Sequence, residues 1–163
     1  MKRSTPFVHR NLPRLLLQAR EAVMAHTRPS LRAHALSDQQ WRVLRVLGEH
    51  AQDPAGIETG RVAREAYLLG PSLTGVLSRM ERDGLLTREK CPQDARRSVV
   101  RATALGLEKV QALSQTIEAH YSLMEQQLGK AKLGQLYALL DELIALETPE
   151  TQTPEELAEE EEQ

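Results

Sequence analysis

The sequence has one cysteine and no long apolar run, and both absences exclude whole classes of protein. A single cysteine, Cys91, excludes an internal disulfide and a zinc site made of cysteines alone. No apolar stretch approaches the ~20 residues of a membrane-spanning helix, and the start of the chain leads into no signal-like segment. We therefore expect a soluble cytoplasmic protein that has no membrane partner.

Aromatic residues are also scarce, because the chain has one Trp, three Tyr and one Phe. The core must therefore consist of Leu, Val and Ala side chains, a composition that favours packed helices over a β-sandwich or a β-barrel. A chain of 163 residues fits one domain, or one domain with helical extensions, and can bury a sizeable core.

Motifs for catalysis and for metal binding are missing as well. The five histidines form no pair with the i, i+4 spacing and no recognisable metal motif. No nucleophile–base motif and no glycine-rich phosphate loop is present. We interpret Cys91 as a spectator thiol rather than as a redox sensor. The sequence therefore predicts neither an enzyme nor a bound metal or cofactor.

Charge is divided unevenly along the chain, although the net charge is only −2. Residues 147–163 contain eight Glu and no Lys or Arg, which predicts a disordered acidic tail. Residues 61–101 carry nine Lys or Arg against five Asp or Glu, a local charge of +4. A basic segment of this kind suits a polyanion, although it is also typical of a solvated surface.

Hydrophobic periodicity predicts two helices near the start of the chain. An apolar stripe that starts at Leu12 indicates a first helix, and Pro29 is expected to kink this helix rather than to end it. Ser37 and Gln40 have the spacing of a capping box, so a second helix begins directly after Ser37.

The next segment has the pattern of a helix-turn-helix motif. Thr59 is expected to cap a third helix, and the turn falls at residues 68–70. The fourth helix has Pro71 at its first position and stops at Gly84, which we predict to be left-handed.

Residues 85–90 and 98–102 are predicted to pair as a β-hairpin across a loop that contains Pro92. The periodicity then becomes helical again over residues 105–128 and 133–144. A helix-turn-helix followed by a hairpin is the order of elements in a winged helix.

The fourth helix divides into an apolar stripe and a polar, cationic face when its residues are placed at ~100° per position. Small side chains let the backbone approach a DNA major groove, hydroxyls can bond to base edges, and arginines can bind phosphate or guanine. A surface helix with solvated arginines is the alternative. The residues that we expect to meet DNA are Pro71, Ser72, Thr74, Gly75, Ser78, Arg79 and Arg82.

The hairpin loop supplies the second group of candidate DNA contacts, Asp94, Arg96 and Arg97. An arginine at a hairpin tip can enter a minor groove, where the negative potential is strongest over narrow A·T-rich stretches. Asp94 is expected to orient a nearby arginine through a charge-assisted bond. A polar turn with exposed arginines is the alternative, but its place after a recognition-like helix favours DNA binding.

Three motifs follow one another between residues 77 and 106. Residues 77–85 read Leu-Ser-Arg-Met-Glu-Arg-Asp-Gly-Leu, then come Asp94-x-Arg96 and Thr103-x-x-Gly106. In these motifs, and in its order of elements over residues 10–146, the chain resembles the MarR family of winged-helix transcriptional regulators. Ala102 departs from the leucine that is usual before the threonine.

A narrower resemblance is carried by residues 18–22, 39–42 and 71–75, which read Gln-Ala-Arg-Glu-Ala, Gln-Gln-Trp-Arg and Pro-Ser-Leu-Thr-Gly. They are similar to the branch that regulates homoprotocatechuate (4-hydroxyphenylacetate) catabolism. The resemblance implies a sequence-specific regulator, a repressor of an aromatic-catabolism operon, that a small aromatic or phenolic acid releases from its operator.

The family resemblance also implies a mainly α fold with a small β-wing. Its parts would be an N-terminal dimerisation helix, a DNA-binding lobe, C-terminal dimerisation helices and an acidic tail, at residues 1–36, 37–104, 105–147 and 148–163. A homodimer would place two lobes at successive major grooves, so that the half-sites of a pseudo-palindromic operator lie ~10 bp apart.

An effector pocket between the dimer helices and the lobe is implied as well. The candidates for it are Arg20, His34, Trp41 and Arg45, because an arginine suits a carboxylate and an indole suits an aromatic ring. A buried core position for Trp41 and an ordinary ion pair for Arg20 are the alternatives.

Two other functions fit the same pattern. A winged helix used only for protein contacts is one, although it would not need cations on both the fourth helix and the hairpin tip. A MarR-type regulator of a stress or antibiotic response is the other.

Overall fold

The computed structural model describes residues 7–91 and 94–146, and at residues 94–96 it describes the backbone alone. Within this part, six helices and three strands give the mainly α fold with a small β-wing that the sequence predicts, which is thereby confirmed. The described residues divide into two compact units, with the boundary between His120 and Tyr121. In chain order the elements are α1 (Leu12–Ala33), α2 (Asp38–Glu49), β1 (Ile57–Glu58), α3 (Thr59–Glu65), α4 (Gly70–Arg82), β2 (Leu86–Cys91), β3 (Asp94–Ala102), α5 (Ala104–Leu128) and α6 (Lys130–Ile144).

The three strands form one antiparallel sheet in the order β1-β3-β2. The ladder between β2 and β3 shifts register at Lys90 and Cys91 and continues to a pair between Cys91 and Asp94. The prediction that residues 94–97 belong to the hairpin loop is therefore wrong, because β3 already begins at Asp94, which pairs with Cys91. Pro92 lies outside the described residues.

Apolar side chains of the helix-turn-helix and the sheet form one core in the first unit. The apolar stripe predicted for α4 is buried, at Leu73, Val76, Leu77 and Met80, so the facing of this helix is confirmed. Side chains from α1, α2 and the strands complete the core. Its fully buried members include Leu31, Val43, Leu44, Val62, Val76, Leu77, Met80, Leu86, Val100 and Leu113. No described helix is both long and apolar enough to cross a membrane.

Local signals set most helix boundaries. Pro29 lies inside α1, which runs four residues beyond it, so the proline does not end the helix. The capping box at the start of α2 is confirmed, since the Gln40 amide donates to Ser37 Oγ at 3.2 Å and the Ser37 amide donates to Gln40 Oε1 at 2.9 Å.

The predicted cap of α3 is wrong. Thr59 is the first helical residue and Glu58 holds the cap position, because β1 continues to Glu58. The Thr59 hydroxyl turns toward β3 instead and donates to the Ser98 carbonyl at 3.0 Å. Pro71 is likewise one position later than expected, since α4 begins at Gly70; an early proline is still tolerated because the first helical amides have no partner within the helix.

Candidate nucleic-acid interface

One face of α4 is buried and the other meets solvent. Its predicted DNA-facing residues, Pro71, Ser72, Thr74, Ser78, Arg79 and Arg82, are all exposed, and Gly75 is partly exposed. Small side chains occupy the start of this face and arginines its end. The structure thus brings the α4 candidates together on one surface, which we call the recognition face.

Gly75 leaves the helix backbone without a side chain in the middle of the recognition face. A Cβ atom built on Gly75 would meet only Arg79 Nη1, at 3.5 Å, which is an ordinary contact. Nothing in the described packing therefore requires a glycine, which costs a helix interior about 0.5–1 kcal/mol relative to alanine. Close approach of a binding partner to this backbone would explain the glycine.

Thr74 offers a directed polar group near the start of α4. Its hydroxyl donates to the Gly70 carbonyl at 3.2 Å, one helical turn earlier. Because the hydroxyl proton is engaged, the oxygen lone pairs face outward as acceptors. In a DNA major groove the matching donors are the amino groups of adenine and cytosine.

Cations dominate the other end of the recognition face. Arg82 is 72% exposed, and its Nε donates to Asp83 Oδ1 at 3.0 Å. An exposed pair of this kind contributes less than about 1 kcal/mol, so exchanging Asp83 for a phosphate costs little.

Arg88 on β2 is a further cation at this surface, and sequence reasoning missed it. Its Nε and Nη2 donate to Glu81 Oε2 at 2.9 and 2.7 Å, and Nη2 lies 3.4 Å from Ser78 Oγ. The pair joins the wing to α4 beside a recognition-face residue. Only the count of basic residues pointed toward Arg88, since the contact depends on how β2 packs on α4.

Of the candidate DNA contacts in the wing, only Arg97 has a described side chain. Arg97 is 57% exposed and donates to the Glu58 carboxylate, with 3.3 Å between Nε and Oε2 and a shorter contact from Nη2 to Oε1. The side chains of Asp94 and Arg96 lie outside the described part, so their roles stay predictions.

Each effector candidate has a local contact within its own chain. Trp41 is buried at 7% exposure, and His34 Nδ1 lies 2.9 Å from the Ser30 carbonyl. Arg45 pairs with Glu49 at 3.1 Å. A cavity in the described part of the chain lies elsewhere, at the base of the wing, among Leu47, His50, Ile57, Val100, Arg101 and Leu107.

Arg20 belongs to a charged cluster between α1 and the start of α2. It lies 2.8 Å from Glu21 and 3.7 Å from Asp38. Arg28, which sequence reasoning missed, binds both carboxylates, and its hydrogen bonds to Glu21 and Asp38 raise its pKa. The bond from Arg28 in turn lowers the pKa of Glu21. Among the residues described, no cluster of His, Cys, Asp and Glu could hold a metal ion.

Residues 35–97, which include the helix-turn-helix and most of the wing, match the MarR family. The homoprotocatechuate degradative operon repressor of Escherichia coli is 42% identical to the chain over 139 residues. The match covers 85% of this chain and 91% of the repressor.

Two solved structures share the fold over most of the chain. The transcriptional regulator PA4135 is 42% identical, with a TM-score of 0.78, and the match covers 86% of this chain and 100% of that one. NadR, solved in complex with 4-hydroxyphenylacetate, is 36% identical, with a TM-score of 0.75 and coverage of 88% and 99%.

Proposed function

The chain belongs to the MarR family of DNA-binding transcriptional regulators, and from this premise we propose that it is a homodimeric repressor of an aromatic-catabolism operon. A small aromatic acid releases it from a pseudo-palindromic operator. The observation that carries the DNA part of the proposal is the recognition face, which combines a low backbone, outward hydroxyls and cations on one exposed helix surface.

In this proposal the two halves of the recognition face have different tasks. Ser72, Thr74 and Gly75 approach base edges, as the N-terminal residues of recognition helices do. Arg79 and Arg82 anchor the helix on phosphate or guanine. Arg96 reaches the minor groove from the wing, and Arg97 joins it when a phosphate replaces Glu58.

A second copy of the chain is the proposed cover of the exposed apolar residues on the long helices. In the first unit, Leu16 and Leu17 of α1 are 39% and 64% exposed. In the second unit, Leu139 and Ile144 of α6 are 62% and 72% exposed. Large apolar residues exposed in this number mark an interaction surface. Sedimentation of a monomer at micromolar concentration would contradict the dimer.

The effector proposal takes its chemistry from two relatives. One is named for homoprotocatechuate degradation, and the other was solved with 4-hydroxyphenylacetate. In this chain we place the acid near Arg20, His34, Trp41 and Arg45, where its carboxylate replaces a side-chain carboxylate on Arg20. The acid releases DNA only if it binds the DNA-free arrangement of the lobes more tightly.

An operator selected in vitro from random duplexes tests the proposal. We expect the selected sequence to be pseudo-palindromic, and its affinity to fall steeply with salt because bound cations are released. 4-Hydroxyphenylacetate should lower that affinity. Failure to enrich any duplex at low salt would favour the scaffold alternative, and release by unrelated drugs but not by aromatic acids would favour the stress-response alternative.

Arg20→Ala separates the effector site from the DNA site. We expect operator affinity to stay within about twofold of the native protein, since Arg20 lies on α1, while release by the acid is blunted. Arg32→Ala, which removes another exposed arginine of α1, is the matched control and should release normally. If the acid releases the Arg20→Ala protein from the operator as readily as it releases the native protein, Arg20 is not part of the effector site.

A further inference from the structure

The turn that leads into α4 has an unusual backbone. α3 ends at Glu65 with Ala66 as its C-cap, and Tyr67 then adopts φ +50°, a left-handed conformation that normally favours glycine. The Leu68 amide donates to the Ala63 carbonyl at 3.0 Å, and the Tyr67 amide donates to the Arg64 carbonyl at 3.2 Å. Because Tyr67 has a side chain, this Schellman turn needs support from outside itself.

Arg42 of α2 gives that support. Its Nη1 donates to the Ala66 carbonyl at 2.9 Å and to the Tyr67 carbonyl at 3.0 Å, across 24 and 25 residues of sequence. Both oxygens lie at the end of α3, where carbonyls lack partners within the helix. One guanidinium group therefore fixes two consecutive peptide units of the turn.

The guanidinium group of Arg42 loses part of its hydration at this position. Its Nε is buried and has no hydrogen-bond partner within the part of the chain that is described. Burial is the main cause that lowers the pKa of Arg42, and the nearby charge of Arg20 adds to it. A group that gives up hydration in this way is placed for the two carbonyls that it binds.

We propose that Arg42 is the positioning residue of the recognition helix, acting through Tyr67 without touching DNA. Only Leu68 and Leu69 separate Tyr67 from α4, and Leu68 is buried in the core. The direction of the chain at Tyr67 therefore sets where the first turn of α4 lies. The consequence for DNA rests on the proposed use of the recognition face, whereas the support of the turn does not.

Hydrogen exchange tests the support of the turn without DNA. Arg42→Met keeps a long side chain but removes the donors, and we expect amide exchange of residues 66–73 to accelerate about tenfold or more. Exchange in the buried part of α2 should stay slow. Tyr67→Gly in the Arg42→Met background should slow the exchange again, because glycine adopts a positive φ without steric cost. Unchanged exchange in Arg42→Met, or no recovery with glycine, overturns the proposal.

Operator binding tests the consequence. Arg42→Met should bind the selected operator about tenfold more weakly, with an unchanged slope of log affinity against log salt, because no phosphate contact is lost. Arg79→Ala is the comparison, and its slope should fall by about one unit. Tyr67→Gly should restore most of the affinity of Arg42→Met. A reduced slope in Arg42→Met would make Arg42 a phosphate contact and overturn its positioning role.

A conservative variant keeps the test valid if Arg42→Met does not fold. Arg42→Lys retains the charge but not the fork of donors, so exchange and affinity should lie between those of the native and Met proteins. Native values for both in a folded Arg42→Lys dimer overturn the proposal. If no operator is selected while exchange changes as expected, the proposed function fails and the support of the turn stands.

Discussion

The two ends of α4 are built differently. The chain enters α4 through a left-handed tyrosine, Tyr67, whose carbonyl is held by Arg42 from another helix. It leaves α4 through Gly84 at φ +71°, where a Cβ would meet nothing within 4 Å. The Gly84 carbonyl accepts from the Thr103 hydroxyl at 2.6 Å. Both ends accept a hydrogen bond from a distant segment, but only the first places a residue with a side chain in the left-handed conformation, which a glycine adopts at the second.

The side chains at the two ends differ in the same way. The first half of the recognition face is small and uncharged, and the second half carries arginines and the bond from Arg88 to Glu81. Reading base edges demands sub-ångström placement, whereas a phosphate contact tolerates movement of a long side chain. In the proposed division of roles, the end that reads bases is therefore positioned from the core, and the end that anchors the helix relies on charge.

The largest expected effect tests how tightly the second end packs. A Cβ on Gly106 of α5 would lie 2.2 Å from the carbonyl oxygen of Leu85, the residue after Gly84. Gly106→Ala should therefore lower the free energy of unfolding by about 3 kcal/mol or more in a urea titration. Gly134→Ala in α6, where a Cβ meets nothing within 4 Å, is the control and should not destabilise the protein. Equal stabilities would show that the turn at Gly84 is not tightly packed.

Gly75→Ala should move stability and DNA affinity in opposite directions. The helix should gain about 0.5–1 kcal/mol, since no described packing opposes a methyl group there. Operator affinity should fall by about 1–2 kcal/mol because the methyl group holds the backbone away from the groove. Thermal unfolding and fluorescence anisotropy measure the two quantities. A stabilised variant with native affinity would show that the reading end does not need a low backbone.

A double-mutant cycle on Glu81 and Arg88 measures the link between α4 and the wing. Glu81→Gln and Arg88→Met should each weaken operator binding, and the coupling energy should be at most about 1 kcal/mol, since both side chains are partly exposed. Because Arg88 is also a cation near the recognition face, its variant should lose more affinity than Glu81→Gln does. Additive losses would mean that the two residues act on DNA separately.

The smallest effect concerns pH and involves Glu65, the last residue of α3. Hydrogen bonds from Arg61 and then His50 lower the pKa of Glu65 below its ordinary value of 4.5. A lowered carboxyl pKa stabilises the fold above the ordinary pKa, and this contribution is lost as pH falls through the lowered value. Glu65→Gln should therefore reduce the fall of the melting temperature below pH 4.5, relative to Glu108→Gln. The same fall of the melting temperature below pH 4.5 in both variants would contradict this prediction.

Local rules predicted much of the fold, because they concern residues a few positions apart. The capping box of Ser37 and Gln40 and the left-handed Gly84 follow from spacing and residue type. The facing of α4 follows from periodicity in the same way. The order of elements and the three family motifs then identified the family.

Local rules failed where a distant segment decides the geometry. Thr59 has the side chain of a cap, but the Ser98 carbonyl, 39 residues away, takes its hydroxyl. The sequence predicts the turn of the helix-turn-helix at residues 68–70, yet Gly70 is already helical and the left-handed residue is Tyr67. The bond from Arg42 that supports Tyr67 has no sequence signal, since it depends on the packing of α2 against α3 and α4.

DNA sequence selectivity is the most direct test of the different roles proposed for the two ends of α4. The ratio of affinities for the selected operator and a scrambled duplex should fall about tenfold in Ser72→Ala and in Thr74→Val, because base contacts are lost. In Arg82→Ala both affinities should fall together and leave the ratio within about twofold of the native value. An unchanged ratio in both Ser72→Ala and Thr74→Val, with the ratio lost in Arg82→Ala, would contradict the assignment of reading and anchoring to the two ends.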